Sequence, residues 1–160
     1  MPSGEERIFK ILDTAGEDDY QTMIDEWIKT ANGFLLVFAI NDKDSFEALK
    51  VKLKRINKNN KGDIPCILVG NKCDLENERK VTIEMGKNKA KEMNCPFYET
   101  SALSNIMIEQ VFKSMCEDIY NRIKSEKKDE DEDDDIEIVK DENKIVNINT
   151  ADSKQKKKCC

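Results

Sequence analysis

The sequence contains no histidine. That absence removes serine–histidine–aspartate triads, cysteine–histidine pairs and imidazole-ligated metals from the chemistry open to it. It also lacks the run of about 18 uninterrupted apolar residues that a membrane-spanning helix needs. Met1 is followed by Pro2, Ser3, Gly4, Glu5 and Glu6 rather than by a basic and then apolar signal segment. The expectation is a chain in the cytosol unless something is attached to it. With one tryptophan, 160 residues and 18.4 kDa, there is room for one modest domain. The six cysteines, at 66, 73, 95, 116, 159 and 160, form no C-x-x-C pair. The four internal ones read as reduced packing residues rather than as disulfides or a zinc site.

Charge is plentiful but unevenly placed. Of the net −6, residues 126–160 carry −4, from 12 acids and 8 lysines, and residues 126–135 hold eight acids, two lysines and nothing apolar. Such a run cannot bury enough surface to offset the ordering of its backbone, so 126–153 reads as a disordered acidic tail. Ile136, Ile138 and Val139 sit within that charge and read as part of the solvated segment. The folded domain is then expected over 1–125.

Inside that domain the hydrophobic period alternates. Ile8, Phe9, Ile11 and Leu12 form a short apolar run, followed by a polar turn and a helical stretch with Met23, Ile24, Trp27 and Ile28. Residues 34–40 are apolar on both faces, the pattern of a central parallel strand covered by helices. Phe46, Leu49, Leu53 and Ile56 recur at helical spacing, and 66–69 is a second buried strand. A polar helix over about 82–93, a short strand at Phe97 and Tyr98, and a final helix with Ile108, Val111, Phe112, Met115 and Ile119 complete the pattern. Strands alternating with helices predict a parallel α/β sheet with binding loops at the carboxyl ends of its strands.

Three of those strand-end loops carry suggestive residues. Asp13-Thr14-Ala15-Gly16 puts a carboxylate where a hydrated Mg²⁺ could sit and a glycine where a backbone N–H could approach a terminal phosphate, although D-x-x-G also describes an ordinary turn. Asn71-Lys72-Cys73-Asp74 offers a carboxylate able to accept both N–H groups of a guanine edge and a lysine stem able to cover the base; a capped turn is the plainer reading. In Thr100-Ser101-Ala102 a backbone N–H could face the guanine oxygen and the Ser101 hydroxyl could orient the preceding aspartate, or the segment could simply cap a helix.

Together and in order, the stretches 11–17, 38–41, 69–75 and 99–102 resemble the Ras family of small GTPases, over about residues 3–124. The resemblance implies a P-loop NTPase-like α/β G domain using GTP/GDP and Mg²⁺. In it Asp13 reaches Mg²⁺ through water, Gly16 senses the γ-phosphate, Asn71, Lys72 and Asp74 read guanine, and Ser101 and Ala102 complete the base pocket. Glu17 stands where most of the family has the glutamine that positions the attacking water. An ionised glutamate only accepts hydrogen bonds and adds negative charge, which predicts slow hydrolysis.

One family element is missing from the sequence: G-x-x-x-x-G-K-[ST] does not occur, and the only Gly-Lys is Gly86-Lys87. Roughly the first 45 residues of a typical member, with the phosphate loop and switch I, have no counterpart. Weak nucleotide binding is therefore expected, because that loop supplies most of the anionic contacts. The absent strand would leave two neighbours with open edges and an unstable fold. The expectation is a truncated version of a GTPase whose complete form does the work, with a nucleotide-free interaction protein or lipidated decoy for GTPase regulators as the alternative.

The end of the chain carries a separate signal. Residues 154–160 place four lysines beside Cys159 and Cys160, a polybasic pair of lipidation candidates. The Cys-Cys end is similar to doubly geranylgeranylated Rab-type ends, whereas the body is Ras-type. It implies a prenyltransferase and the cytoplasmic face of a membrane, and the body implies exchange factors, GTPase-activating proteins and effectors. Lys50, Lys52, Lys54, Arg55, Lys58 and Lys61 read as a solvated helix face, and an acidic chain without interleaved aromatics gives no support to nucleic-acid binding.

Overall fold

A computed structural model describes residues 8–14, 21–60, 64–129 and 145–146. The chain divides into two compact units, 1–14 with 132–160, and 15–131. In the first, β1 (Phe9–Lys10) pairs antiparallel with β5 (Ile145–Val146), Phe9 opposite Val146 and Lys10 opposite Ile145. The apolar run at 8–12 was expected as a buried strand of the parallel sheet. Instead Ile8 is 68% exposed, and Ile11 and Leu12 are exposed as well. Alternation of apolar residues reports a strand's faces, but burial requires a covering layer. Of the segment expected as an acidic tail, only the stretch to Asp129 and the strand at 145–146 are described; residues 130–144 and 147–160 lie outside the described residues.

The second unit holds a three-stranded parallel sheet in the order β2 (Phe34–Ala39), β3 (Cys66–Asn71), β4 (Phe97–Glu99). β3 is the buried centre, with Ile67 and Leu68 fully enclosed, as its continuous apolar run requires. Successive side chains point to opposite faces. Leu68 joins Leu36, Phe38 and Ile40 in a cluster completed by Leu49, Val81 and Ala90, while Ile67 and Val69 pack against Val111 and Met115. β2 is an edge among the described residues rather than a strand covered on both faces, and Val37 is 44% exposed.

Helices close the faces for legible reasons. α1 (Gln21–Thr30) buries Ile28, and the carboxylate of its Asp25 accepts from Arg55 Nε at 2.6 Å and from Asn59 Nδ2 at 2.9 Å. Those partners lie on α3 (Leu49–Asn59), so Arg55 joins two helices instead of extending the solvated lysine face; Lys50, Lys52, Lys54 and Lys58 are exposed. The single helix expected around residues 46–56 is divided at Ala48 into α3 and a short α2 (Lys43–Glu47), which Asp42 caps by accepting from the Asp44 and Ser45 N–H groups.

α4 (Ile83–Glu92) begins at Thr82, whose hydroxyl accepts from Met85 N, and it ends beyond Met93 at Asn94, in the left-handed region at φ 51°. Gly86 lets α4 lie against Phe97, because a Cβ there would press into the ring. α5 (Ile108–Asp129) buries Val111 and Met115 of the expected stripe, and Cys116 beside them, and continues four residues past the anticipated boundary at 125. An Arg122–Glu126 pair at i,i+4 links its last turns.

Candidate functional site

β3 and β4 run parallel, so their carboxyl ends deliver two loops side by side. The ladder continues past the strands: Thr100 N–H donates to Gly70 O at 2.9 Å, and Cys73 N–H donates to Thr100 O at 3.0 Å. Asn71 then bridges the loops through its side chain, since Oδ1 accepts from Thr100 Oγ1 at 3.2 Å and from Ala102 N at 3.3 Å. The Ala102 N–H can only donate, so the Asn71 oxygen must face it. That leaves the Asn71 amide as a free donor pair at the head of the loop, without a partner among the described residues.

The loop itself is tight. Lys72 occupies the left-handed region at φ 64°, and Leu75 N–H closes the turn onto Lys72 O at 2.9 Å. A non-glycine residue there costs about 1 kcal/mol. Local strain of this kind concentrates where a backbone path serves a ligand. The Lys72 and Asp74 side chains are exposed and have no partner among the described residues. Cys73 between them is half-buried, and burial pushes its thiol up, with the Glu99 and Asp74 carboxylates adding to the shift.

The second loop is fixed from inside. Ser101 is fully buried; its backbone exchanges hydrogen bonds with Ile106 at 3.1 and 2.9 Å, and its hydroxyl accepts from Ser104 N at 3.0 Å. The hydroxyl therefore shapes its own loop rather than reaching Asp74. Thr100, 2% exposed, was not singled out by sequence, yet its hydroxyl is one of the two donors to Asn71.

A second unforeseen contributor is Arg79. Its guanidinium pairs in a fork with Glu99 (Nη1–Oε1 2.6 Å, Nη2–Oε2 2.9 Å), bonds Glu76 at 2.6–3.0 Å, and donates to Val81 O at 3.0 Å. These bonds hold the Arg79 guanidinium well above its usual range, with Glu99 the largest cause and Glu76 next. Arg79 thus ties the segment after the first loop to the residue that precedes the second. The signal in the sequence was an unpaired arginine after one motif and a glutamate beginning the next, 20 positions apart, which spacing alone cannot join.

The remaining candidates are placed differently. Asp13 is exposed and belongs to the first unit. Gly16, Glu17, Cys159 and Cys160 lie outside the described residues. Among the described residues, no group of three or more Cys, Asp or Glu is disposed to hold a metal ion.

Comparison with known proteins agrees with the geometry. The Ras family profile matches residues 2–121. The chain is 43% identical over 109 residues to Ras-like protein 1 of Saccharomyces cerevisiae, covering 68% of this chain and 35% of that protein. It is 41% identical over 120 residues to Ras-like protein rasB of Dictyostelium discoideum, covering 73% of this chain and 60% of that protein. The chain thus spans less than two thirds of either relative's length. A family match over three quarters of the sequence, on a parallel α/β sheet with its loops at the expected strand ends, settles the affiliation: the chain belongs to the Ras family of small GTPases.

Proposed function

We propose that the paired loops after β3 and β4 form the guanine-reading half of a GTP/GDP switch. The observation that carries this reading is the Asn71 side chain, whose oxygen joins Thr100 and Ala102 while its amide is left free to donate. Around it, Asp74 accepts the two N–H groups of guanine, the Lys72 stem covers the ring, and Ser101 holds the loop that presents Ala102. Adenine carries no such pair of donors on the corresponding edge, so the carboxylate sets the choice of base.

The donor set also suits a magnesium nucleotide. Mg²⁺ keeps several waters and is commonly held by one or two carboxylates together with substrate phosphates, so Asp13 alone, acting through water, is compatible with it. When bound, the ion would neutralise charge on the phosphates. Gly16 would meet the γ-phosphate, and Glu17, able only to accept, would position a water less well than glutamine, giving slow GTP hydrolysis. The proposed setting is a membrane surface, reached through prenylation of Cys159 and Cys160, where exchange factors, GTPase-activating proteins and effectors act on the switch. Among the described residues, no helix is long and apolar enough to cross a membrane.

The test is base discrimination by nucleosides, which need no phosphate loop. Guanosine should bind more tightly than inosine, which lacks the 2-amino group, by about 10-fold or more, the worth of one hydrogen bond to a charged acceptor. Asp74→Ala should remove that difference. Equal affinity of the wild-type chain for guanosine, inosine and adenosine would exclude the reading.

A further inference from the structure

Two of the internal cysteines stand at the same level on neighbouring strands, at the opposite end of the sheet from the loops described above. β3 and β4 pair with Leu68 opposite Phe97 and Val69 opposite Tyr98, so the register carried two residues back sets Cys66 opposite Cys95. The Leu68 N–H, donating to Pro96 O at 3.0 Å, holds that register. Cys66 and Cys95 pack against the same hydrophobic cluster. Adjacent strands lie about 4.8 Å apart, within the Cα separation of roughly 4.4–6.8 Å that a disulfide spans. Among the described residues, Cys73, on a loop, and Cys116, buried on α5, are opposite no other cysteine on a neighbouring strand.

We propose that Cys66 and Cys95 are a redox-sensitive dithiol that closes to an intramolecular disulfide across the starts of β3 and β4, with a small disulfide such as oxidised glutathione as the oxidant. Cys95 attacks first. Its exposed flanks at Asn94 and Pro96 open it to the reagent, and the neighbouring Cys66 thiol helps to hold its own below the ordinary range. Cys66, opposite Cys95 in the register and held above the ordinary range by its Cys95 neighbour and by burial, is the resolving thiol.

The Cys95 thiolate attacks one sulfur of oxidised glutathione, the glutathione S–S bond breaks, and one glutathione thiolate leaves. The Cys66 thiolate then attacks the Cys95 sulfur, forming the Cys66–Cys95 bond and releasing the second glutathione thiolate. The two protons lost by the cysteines end on the two glutathione thiolates. Both cysteines are oxidised and the glutathione disulfide is reduced. Nothing in this chemistry requires a nucleotide, so it stands apart from the reading of the opposite end of the sheet.

The test treats the full chain with oxidised glutathione, alkylates the remaining thiols, digests after Lys and Arg, and identifies peptides by mass. Cleavage separates Cys66, in 62–72, from Cys73, in 73–79, and places Cys95 in 92–113. The expected product is 62–72 joined to 92–113 through one disulfide, with Cys73 alkylated. Cys66→Ser should instead trap a glutathione adduct on Cys95, and Cys95→Ser should abolish the cross-link. Two peptide patterns from the folded chain would overturn the proposal: a stable glutathione adduct on Cys95 of the wild-type chain without the cross-link, or oxidation confined to other cysteines. The same cross-link formed with equal preference in the urea-unfolded chain would also overturn it, because the strand register would then play no part.

Discussion

Lys72 separates what a residue does for the fold from what it does for a ligand. Its backbone sits at φ 64°, a conformation glycine adopts without penalty, and its exposed side chain supports nothing in the described structure. Lys72→Gly should therefore raise stability by about 0.5–1 kcal/mol, measured as a higher urea midpoint at unchanged slope. If the lysine stem covers the base, the same change should weaken guanosine binding by about 10-fold, the worth of a few buried methylenes. A variant that is less stable, or that binds guanosine as well as the wild type, would contradict this account of the residue. Asn71 differs, since its oxygen joins two loops and its replacement would disturb structure and recognition together.

Elements in this domain are joined by a few charged contacts whose worth depends on burial. The Arg79 and Glu99 side chains are only 12% and 19% exposed, whereas Glu76 is 64% exposed. Arg79→Ala strips a sheltered carboxylate of its forked partner and should cost about 2–3 kcal/mol in urea unfolding, while Glu76→Ala should cost about 0.5 kcal/mol or less. Equal losses would show that the fork contributes no more than a surface pair. The contact between α1 and α3 predicts a pH dependence. The Arg55 hydrogen bond holds the Asp25 carboxyl below its ordinary 3.8. A depressed carboxylate stabilises the folded state above its unfolded pKa, and that contribution disappears as pH falls through the lower folded value. Trp27, the sole tryptophan, lies on α1 and reports the docking. Its emission should shift to longer wavelength below about pH 4, and Asp25→Asn should flatten that transition. An identical transition in the variant would assign it to other groups.

Across the molecule, the sequence disclosed what periodicity encodes. The apolar runs at 34–40 and 66–69 and the stripe from Val111 to Ile119 appear as strands and a helix, although the first lies at an edge rather than at the centre of the sheet. The loops bearing Asn71 and Ser101 emerge together because parallel strands must release their loops at one end. Period does not name a neighbour, which is why the Arg79–Glu99 fork and the placement of Cys66 opposite Cys95 were illegible and why the exposed run at 8–12 read as buried. Thr100 was visible within its motif, but its hydroxyl's partner depends on how the two loops meet. The central claim is that those loops recognise guanine. Backbone amide NMR of the chain titrated with guanosine and, separately, adenosine tests it most directly. Guanosine-dependent shifts centred on Asn71–Asp74 and Ser101–Ala102 are expected, with much smaller shifts for adenosine. Shifts of equal size with both nucleosides, or shifts centred elsewhere, would contradict it.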